Sequence, residues 1–297
     1  METATQTRTV PDALAPIQSQ WPTPLTASEW DKRFPGILDG FLLISGSANV
    51  IMQLARLPVG HGVAESKVEN GSALHHPIKR ARTTYTYLAV ALMGTTEEKL
   101  AYRKAVNGQH AQVRSEEGAS VKYNAFDPNL QLWVAACLYW GFAEGNRLSR
   151  GPLSDEKAAE LYRLAESLGT TLQVRPEMWP ADIQAFNAYF EQGLNQIKID
   201  EKVRRYLTML LGLSPKLLAS GPAPVRFHGF VTTGFLPQKL RTEMQLEWSP
   251  IKQHKFDRMI HVFSIINRML PRVVRQFPFI LVLWDFRRRL RKGLPLV

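Results

Sequence analysis

Three observations predict an all-α fold, a single-domain multi-helix bundle. Apolar residues recur with the 3.6-residue period of a helix, and strict apolar/polar alternation is scarce. Segments open on capping residues or proline and close on glycine, the asymmetry of helix ends. Connectors are short, so successive helices must pack against one another. The composition agrees: 297 residues, 45% hydrophobic and 21% charged, suit a globular chain with a large core.

Residues 1–34 read as a flexible leader, lacking the basic start and apolar core of a signal peptide, and residues 35–292 as the domain. "GILDGFLLISGSANVIMQLA" is long enough for a membrane span. It carries Asp39, Asn49 and several small residues, which favours one buried helix. "HHPIKRARTTYTYLAVALMG" predicts a helix from Pro77 to the stop at Gly94. Thr95 with Glu98 forms a capping box, and the helix it starts is expected to run to Gly118. Asp127 and Pro128 start a further helix, and Ser154 and Gly169 bracket another. "WPADIQAFNAYFEQGL" and "DEKVRRYLTMLLG" supply two more. "SGPAPVRFHGFVTTGFLP", rich in Gly and Pro, reads as the one long break before a final helical hairpin, "KFDRMIHVFSIINRML" and "FILVLWDFRRRLRK". The second arm is a basic helix at about residues 277–292.

Several chemistries are excluded. There is no GxGxxG, Walker loop or GxSxG elbow. The single cysteine, Cys137, sits in an apolar run and rules out an intramolecular disulfide and a cysteine-only metal cluster. A reducing, cytoplasmic location is the expectation. No histidine follows a glutamate by three positions, which removes the paired ExxH signature of carboxylate di-iron bundles. His75 and His76 are adjacent and point apart on a helix, so they do not ligate together.

His110 differs in its company. At 100° per residue, Tyr102, Val106 and Val113 lie on one side of it, and Arg103, Asn107 and Arg114 on the other. A flat apolar ligand with an anionic edge, such as haem b, needs such a seam. Neutral imidazole takes the iron, Val106 and Val113 cover the macrocycle, and Arg114, one turn on, meets a propionate. From spacing alone, a boundary histidine on an amphipathic helix is the plainer reading. Arg80 and Thr84, four apart, share a face one helix earlier, where they could anchor a ligand oxygen or cap a neighbour.

In order, "FLLISGSANVIMQLA", "GHGVAES", Arg80-xxx-Thr84, "GTTEE", "NGQHAQVR", "YNAFDPNLQLWVAACLYWGF" and "LWDFRRRLR" resemble the family of the fungal oxygenase MpaB and the bacterial latex-clearing (rubber) oxygenases, over roughly residues 35–292. The resemblance implies an all-α fold around one haem b, with His110 as proximal iron ligand. It implies Arg80 and Thr84 near the haem on the other side, and dioxygen-dependent cleavage of a carbon–carbon double bond in a lipophilic, isoprenoid-like substrate. Family members use an acidic residue upstream of the arginine as a base. Glu65 is the candidate here, beside the alternative of a surface or capping glutamate. Rubber-cleaving members carry a lysine directly before the motif threonine; Thr83 stands there, which argues against rubber itself. The same fold could instead support hydroxylation or desaturation, or non-enzymatic binding of haem or lipid.

The +11 net charge is concentrated in residues 251–297, which hold eleven Lys/Arg against Asp257 and Asp285. No nucleic-acid partner is expected, because the charge belongs to the tail. Basic residues beside "FPFILVLW" suit peripheral contact with an anionic membrane. The alternative is a final helix packed in the core with solvated arginines.

Overall fold

Helix starts fall where a side chain accepts the unbonded N–H groups of a first turn. The computed structural model describes residues 21–66 and 74–297 and shows this from its first element. Helix α1 (Ala27–Arg33) carries a complete capping box between Thr26 and Glu29. Trp30 and Phe34 are buried, and the Trp30 indole donates to the Leu92 carbonyl. The expected leader over 1–34 is therefore corrected in its second part. Residues 21–34 belong to the body because two large aromatics anchor them; residues 1–20 lie outside the described residues.

The stretch expected as one buried helix is divided. A 3-10 turn (Gly40–Ser45) leads into α2 (Gly46–Leu54), and α3 (Leu57–Ala64) departs at 108° from this pair. Pro58 cannot donate to a continued helix. A Cβ at Gly60 would lie 2.4 Å from the Leu54 carbonyl oxygen, so the corner needs glycine. Among the described residues, no single helix is long and apolar enough to cross a membrane.

Helices α4 (Pro77–Met93) and α5 (Thr96–His110) form a hairpin around Gly94, with the Thr95–Glu98 capping box in place. Helix α5 ends at His110, not at Gly118 as the sequence suggests. Beyond it the backbone bonds across a loop: Ser115 N–H donates to Tyr123 O at 2.8 Å and Ala125 N–H to Val113 O at 2.9 Å, around an isolated Arg114–Asn124 bridge. A facing segment satisfies these groups as well as further helix would.

Asp127 caps the long α6 (Pro128–Arg150) and Ser154 caps α7 (Asp155–Ala165), which the short α8 (Ser167–Thr170) follows. Asp182 caps α9 (Ile183–Asn195). Asp200 caps α10 (Glu201–Leu211), which stops at left-handed Gly212 before α11 (Pro215–Ser220). Helix α6 runs through the core. Its Trp133 stacks on Phe190 at 5.5 Å and donates to the Met52 carbonyl, while Tyr139 meets Phe186 edge-on at 4.7 Å. Truncating a core aromatic of this kind costs roughly 3–5 kcal/mol.

The expected long break is instead helix α12 (Ala223–Phe235). Its prolines lie at the start, where no N–H is needed. Its glycines serve close packing: a Cβ at Gly229 or Gly234 would lie 2.1 Å from Leu218 or 2.2 Å from the Phe256 ring. The chain continues through α13 (Gln238–Glu243), α14 (Pro250–Met269), α15 (Arg272–Arg275) and α16 (Phe277–Arg291). The last two long helices find separate partners rather than forming the expected hairpin: α14 lies against α6 and α12, and α16 lies along α4. A buried anchor fixes the turn between them. Asp39 accepts from Arg150, Arg275 and Asn267, and Arg275 also reaches Asp31.

The arginines of α16 are mostly paired within the fold. Arg287 grips Glu98 at 2.7 and 3.1 Å, and Arg288 and Arg289 share Asp285 at 2.7 Å. The whole is a single all-α domain, with no strand among the described residues.

Candidate functional site

The hairpin of α4 and α5 brings the sequence candidates to one level. Arg80 lies fourteen residues before Gly94 and His110 sixteen after it. Two antiparallel helices of that length, at 1.5 Å per residue, return the chain about 20 Å to the same end. Tyr102 fixes the register by donating its hydroxyl to the Thr83 carbonyl at 2.6 Å. Arg80 therefore sits in the first turn of α4, close enough to the last residue of α5 for its charge to act on His110.

That histidine is held neutral. Burial, and then the Arg80 charge, pull its pKa down to about 4. Its Nδ1 is buried with no hydrogen-bond partner, and the ring meets Phe126 edge-on at 6.3 Å. Seven residues earlier, on the same face of α5, Arg103 Nε is also buried and unpartnered. Burial lowers the Arg103 pKa as well. A buried polar group left unbonded costs about 1–3 kcal/mol, and two of the five such atoms among the described residues lie on this helix face.

The other candidates stand as follows. Thr84 donates its hydroxyl back to the Arg80 carbonyl at 3.0 Å, which leaves its oxygen able to accept. Thr83 is committed to the helix pair, donating to Lys79 O and accepting from Tyr102 through its own carbonyl. Val106 is partly buried against the core one turn before His110. Val113 and Arg114 are not on that helix. Val113 faces Gly62, and Arg114 is exposed in the bridge to Asn124. The helical spacing that joined Arg114 and Val113 to His110 does not hold, because α5 ends first.

Glu65 belongs to a separate cluster. At the C-cap of α3 it accepts from His61 Nδ1 at 2.7 Å, Lys202 Nζ at 2.6 Å and the Tyr123 hydroxyl at 3.0 Å. The Lys202 bond, above all, lowers its pKa, which makes it a weak proton acceptor. His61 Nε2 bonds Asp200 at 2.6 Å, so the ring bridges two carboxylates. The cluster ties α3, α10 and the 113–125 loop together and includes none of Arg80, Thr84 or His110.

Sequence reasoning missed Phe126, Tyr206 of α10, which lies within reach of the Arg80 charge, and the amide chain Gln131–Gln173–Asn107. Each joins segments far apart in the chain, and no local pattern announces such a contact.

The site thus defines an all-α protein that sets one buried, unbonded imidazole nitrogen on the same helix face as an arginine with an unbonded Nε. Among the described residues, no three His, Cys, Asp or Glu side chains gather as a cage for a metal ion. The chain belongs to the family described as ER-bound oxygenase mpaB/B'/Rubber oxygenase, catalytic domain, whose model matches residues 36–265. It is 46% identical over 251 residues to the uncharacterized proteins Rv2237 of Mycobacterium tuberculosis and Mb2261 of Mycobacterium bovis, covering 83% of this chain and 97% of each relative. No solved structure matches it.

Proposed function

We propose that this protein is a haem b-dependent oxygenase that uses dioxygen to oxidise a lipophilic, isoprenoid-like alkene, cleaving a carbon–carbon double bond. The observation that carries the reading is His110: a neutral imidazole with a buried, unbonded ring nitrogen, beside an arginine, in a chain of an oxygenase family. The residues present fit the group. His110 would hold the iron through a ring nitrogen, since a pKa of about 4 leaves a lone pair free at neutral pH. Val106 and Phe126 offer apolar cover. Arg103, whose Nε is buried without a hydrogen-bond partner, is a better candidate for a propionate than exposed Arg114. Bound haem would supply the redox-active iron that dioxygen chemistry requires.

The chain's own groups then orient and stabilise. Arg80, exposed in the first turn of α4, would bring a positive charge to a developing carbonyl oxygen, and Thr84, one turn on, would add a hydroxyl. Thr83, in place of the lysine of rubber-cleaving members, presents no amine to the site. That favours a small alkene over a polymer as substrate. Glu65 acts at a distance, holding the loop that carries Phe126 through Tyr123.

The test is oxygen uptake by haem-loaded protein with a short isoprenoid alkene, followed by mass analysis of the products. Two carbonyl-ended fragments support the proposal. A hydroxylated or desaturated product of unchanged carbon count overturns the cleavage step, and the absence of oxygen uptake across a panel of such alkenes overturns the activity.

A further inference from the structure

Helix α14 carries two stripes. Phe256, Ile260 and Ser264 face the core. At 100° per residue, Ile251, Val262, Ile265, Ile266 and Met269 fall on the opposite side, and all are exposed, Ile251 by 69% and Met269 by 80%. Helix α16 repeats the pattern: Phe279, Leu283 and Phe286 are buried, whereas Phe277, Leu281 and Trp284 are exposed, Trp284 by 55%. Between them, Leu270, Val273 and Val274 in and before α15 are also exposed. A run of large apolar side chains on the outer faces of three successive helices exceeds the scattered exposure of an ordinary surface. The outer face of α14 is also hollowed, with an open depression of ≈ 710 Å³ along Ile251, Met259, Val262 and Phe263.

The charges around this face are mostly positive, and on α14 itself Asp257 is the one exposed carboxylate. Lys252, Lys255, Arg258, Arg268 and Arg272 have no carboxylate partner among the described residues. Their bonds go to neutral groups, such as Arg258 to His254 and Arg272 to Gln276. Of the basic residues that the sequence offers beside the apolar run, Arg272 belongs to this face, whereas Arg275 is held by Asp31 and Asp39, and Arg287, Arg288 and Arg289 are taken up by Glu98 and Asp285. Arg288 also lies over the Trp284 ring at 5.8 Å, setting an aromatic and a cation together at the edge of the face.

We propose that the outer face of α14, α15 and the first half of α16 docks on an anionic phospholipid surface. Apolar and aromatic side chains enter the headgroup boundary, and the unpaired cations meet lipid phosphates. A second copy of the chain fits less well, because a symmetric contact would set Lys255 and Arg258 against like charges. The contact is peripheral: the helices lie along the surface with their other faces in the core. This assignment stands apart from the haem chemistry and needs none of its residues.

The test is co-sedimentation of the full chain with vesicles of phosphatidylcholine alone and of equal parts phosphatidylcholine and phosphatidylglycerol. Binding is expected to the anionic vesicles, at least about tenfold over the neutral ones and reversed in high salt. Lys255→Glu with Arg258→Glu should weaken it by at least about tenfold, since each cation near the surface contributes separately. Val273→Asp with Val274→Asp should weaken binding too, with the thermal melt unchanged, because both side chains are exposed. Equal binding to both vesicle types, or none to either, overturns the proposal. So does a concentration-dependent dimer, seen by sedimentation velocity, that the same substitutions abolish while vesicle binding persists.

Discussion

The charge of Arg80, in the first turn of α4, acts on His110, the last residue of α5, and adds to burial in keeping that imidazole neutral. In the proposed function the two side chains have different duties, one offering a lone pair and the other a positive charge. Arg80→Leu should therefore retain haem while depressing oxygen-dependent turnover on the order of 10²-fold, the loss typical of one preorganised stabilising group. Pyridine haemochrome quantitation and oxygen-electrode rates check both halves. Unchanged turnover would remove Arg80 from the chemistry.

Arg103 is expected to act on cofactor retention instead. Its Nε is buried without a partner, so a propionate would gain a charge-assisted bond there. Arg103→Met should speed haem loss to apomyoglobin by roughly 10–100-fold, the equivalent of one such bond. Arg114→Met, exposed on the loop, should leave that rate unchanged.

Local signals made much of this legible. The capping pairs Thr95–Glu98 and Asp127–Pro128 start helices where expected, because a cap is decided within one turn. Two misreadings share a cause. Beyond His110 the chain bonds residues 113 and 115 to 123–125 instead of continuing α5, and α12 keeps its glycines because Leu218 and Phe256 pack where a Cβ would stand. Both depend on partners that a local window does not contain. The same holds for Glu65, whose strongest partner, Lys202, is 137 residues away.

The hairpin register rests on Tyr102. Tyr102→Phe removes the side-chain donor to the Thr83 carbonyl, which keeps its bond within the helix, and should cost about 1 kcal/mol, read as a lower urea midpoint at unchanged slope. A smaller haem occupancy should accompany it, since the pairing sets His110 level with Arg80.

Acid should loosen the α3–α10 corner. Glu65 and Asp200 both have pKa values below their unfolded ones, Glu65 chiefly through Lys202 and Asp200 through the Val203 N–H and His61, against the opposing effect of burial. The folded state then binds fewer protons than the unfolded one. The stability these carboxylates contribute is fully present above about pH 4.5 and is lost as the pH falls through their folded values. Urea unfolding between pH 7 and pH 3 should show this decline, and Glu65→Gln should flatten it. An acid limb identical in the variant would contradict the assignment.

The most direct measurement is the absorption spectrum of freshly purified, haem-supplied protein, reduced and then exposed to carbon monoxide, for the wild type and His110→Ala. The expected wild-type result is a stoichiometric Soret band that shifts with carbon monoxide; the variant, with helicity unchanged, should lack it. A wild type that takes up no haem, or a His110→Ala protein that keeps a full complement, would contradict the account.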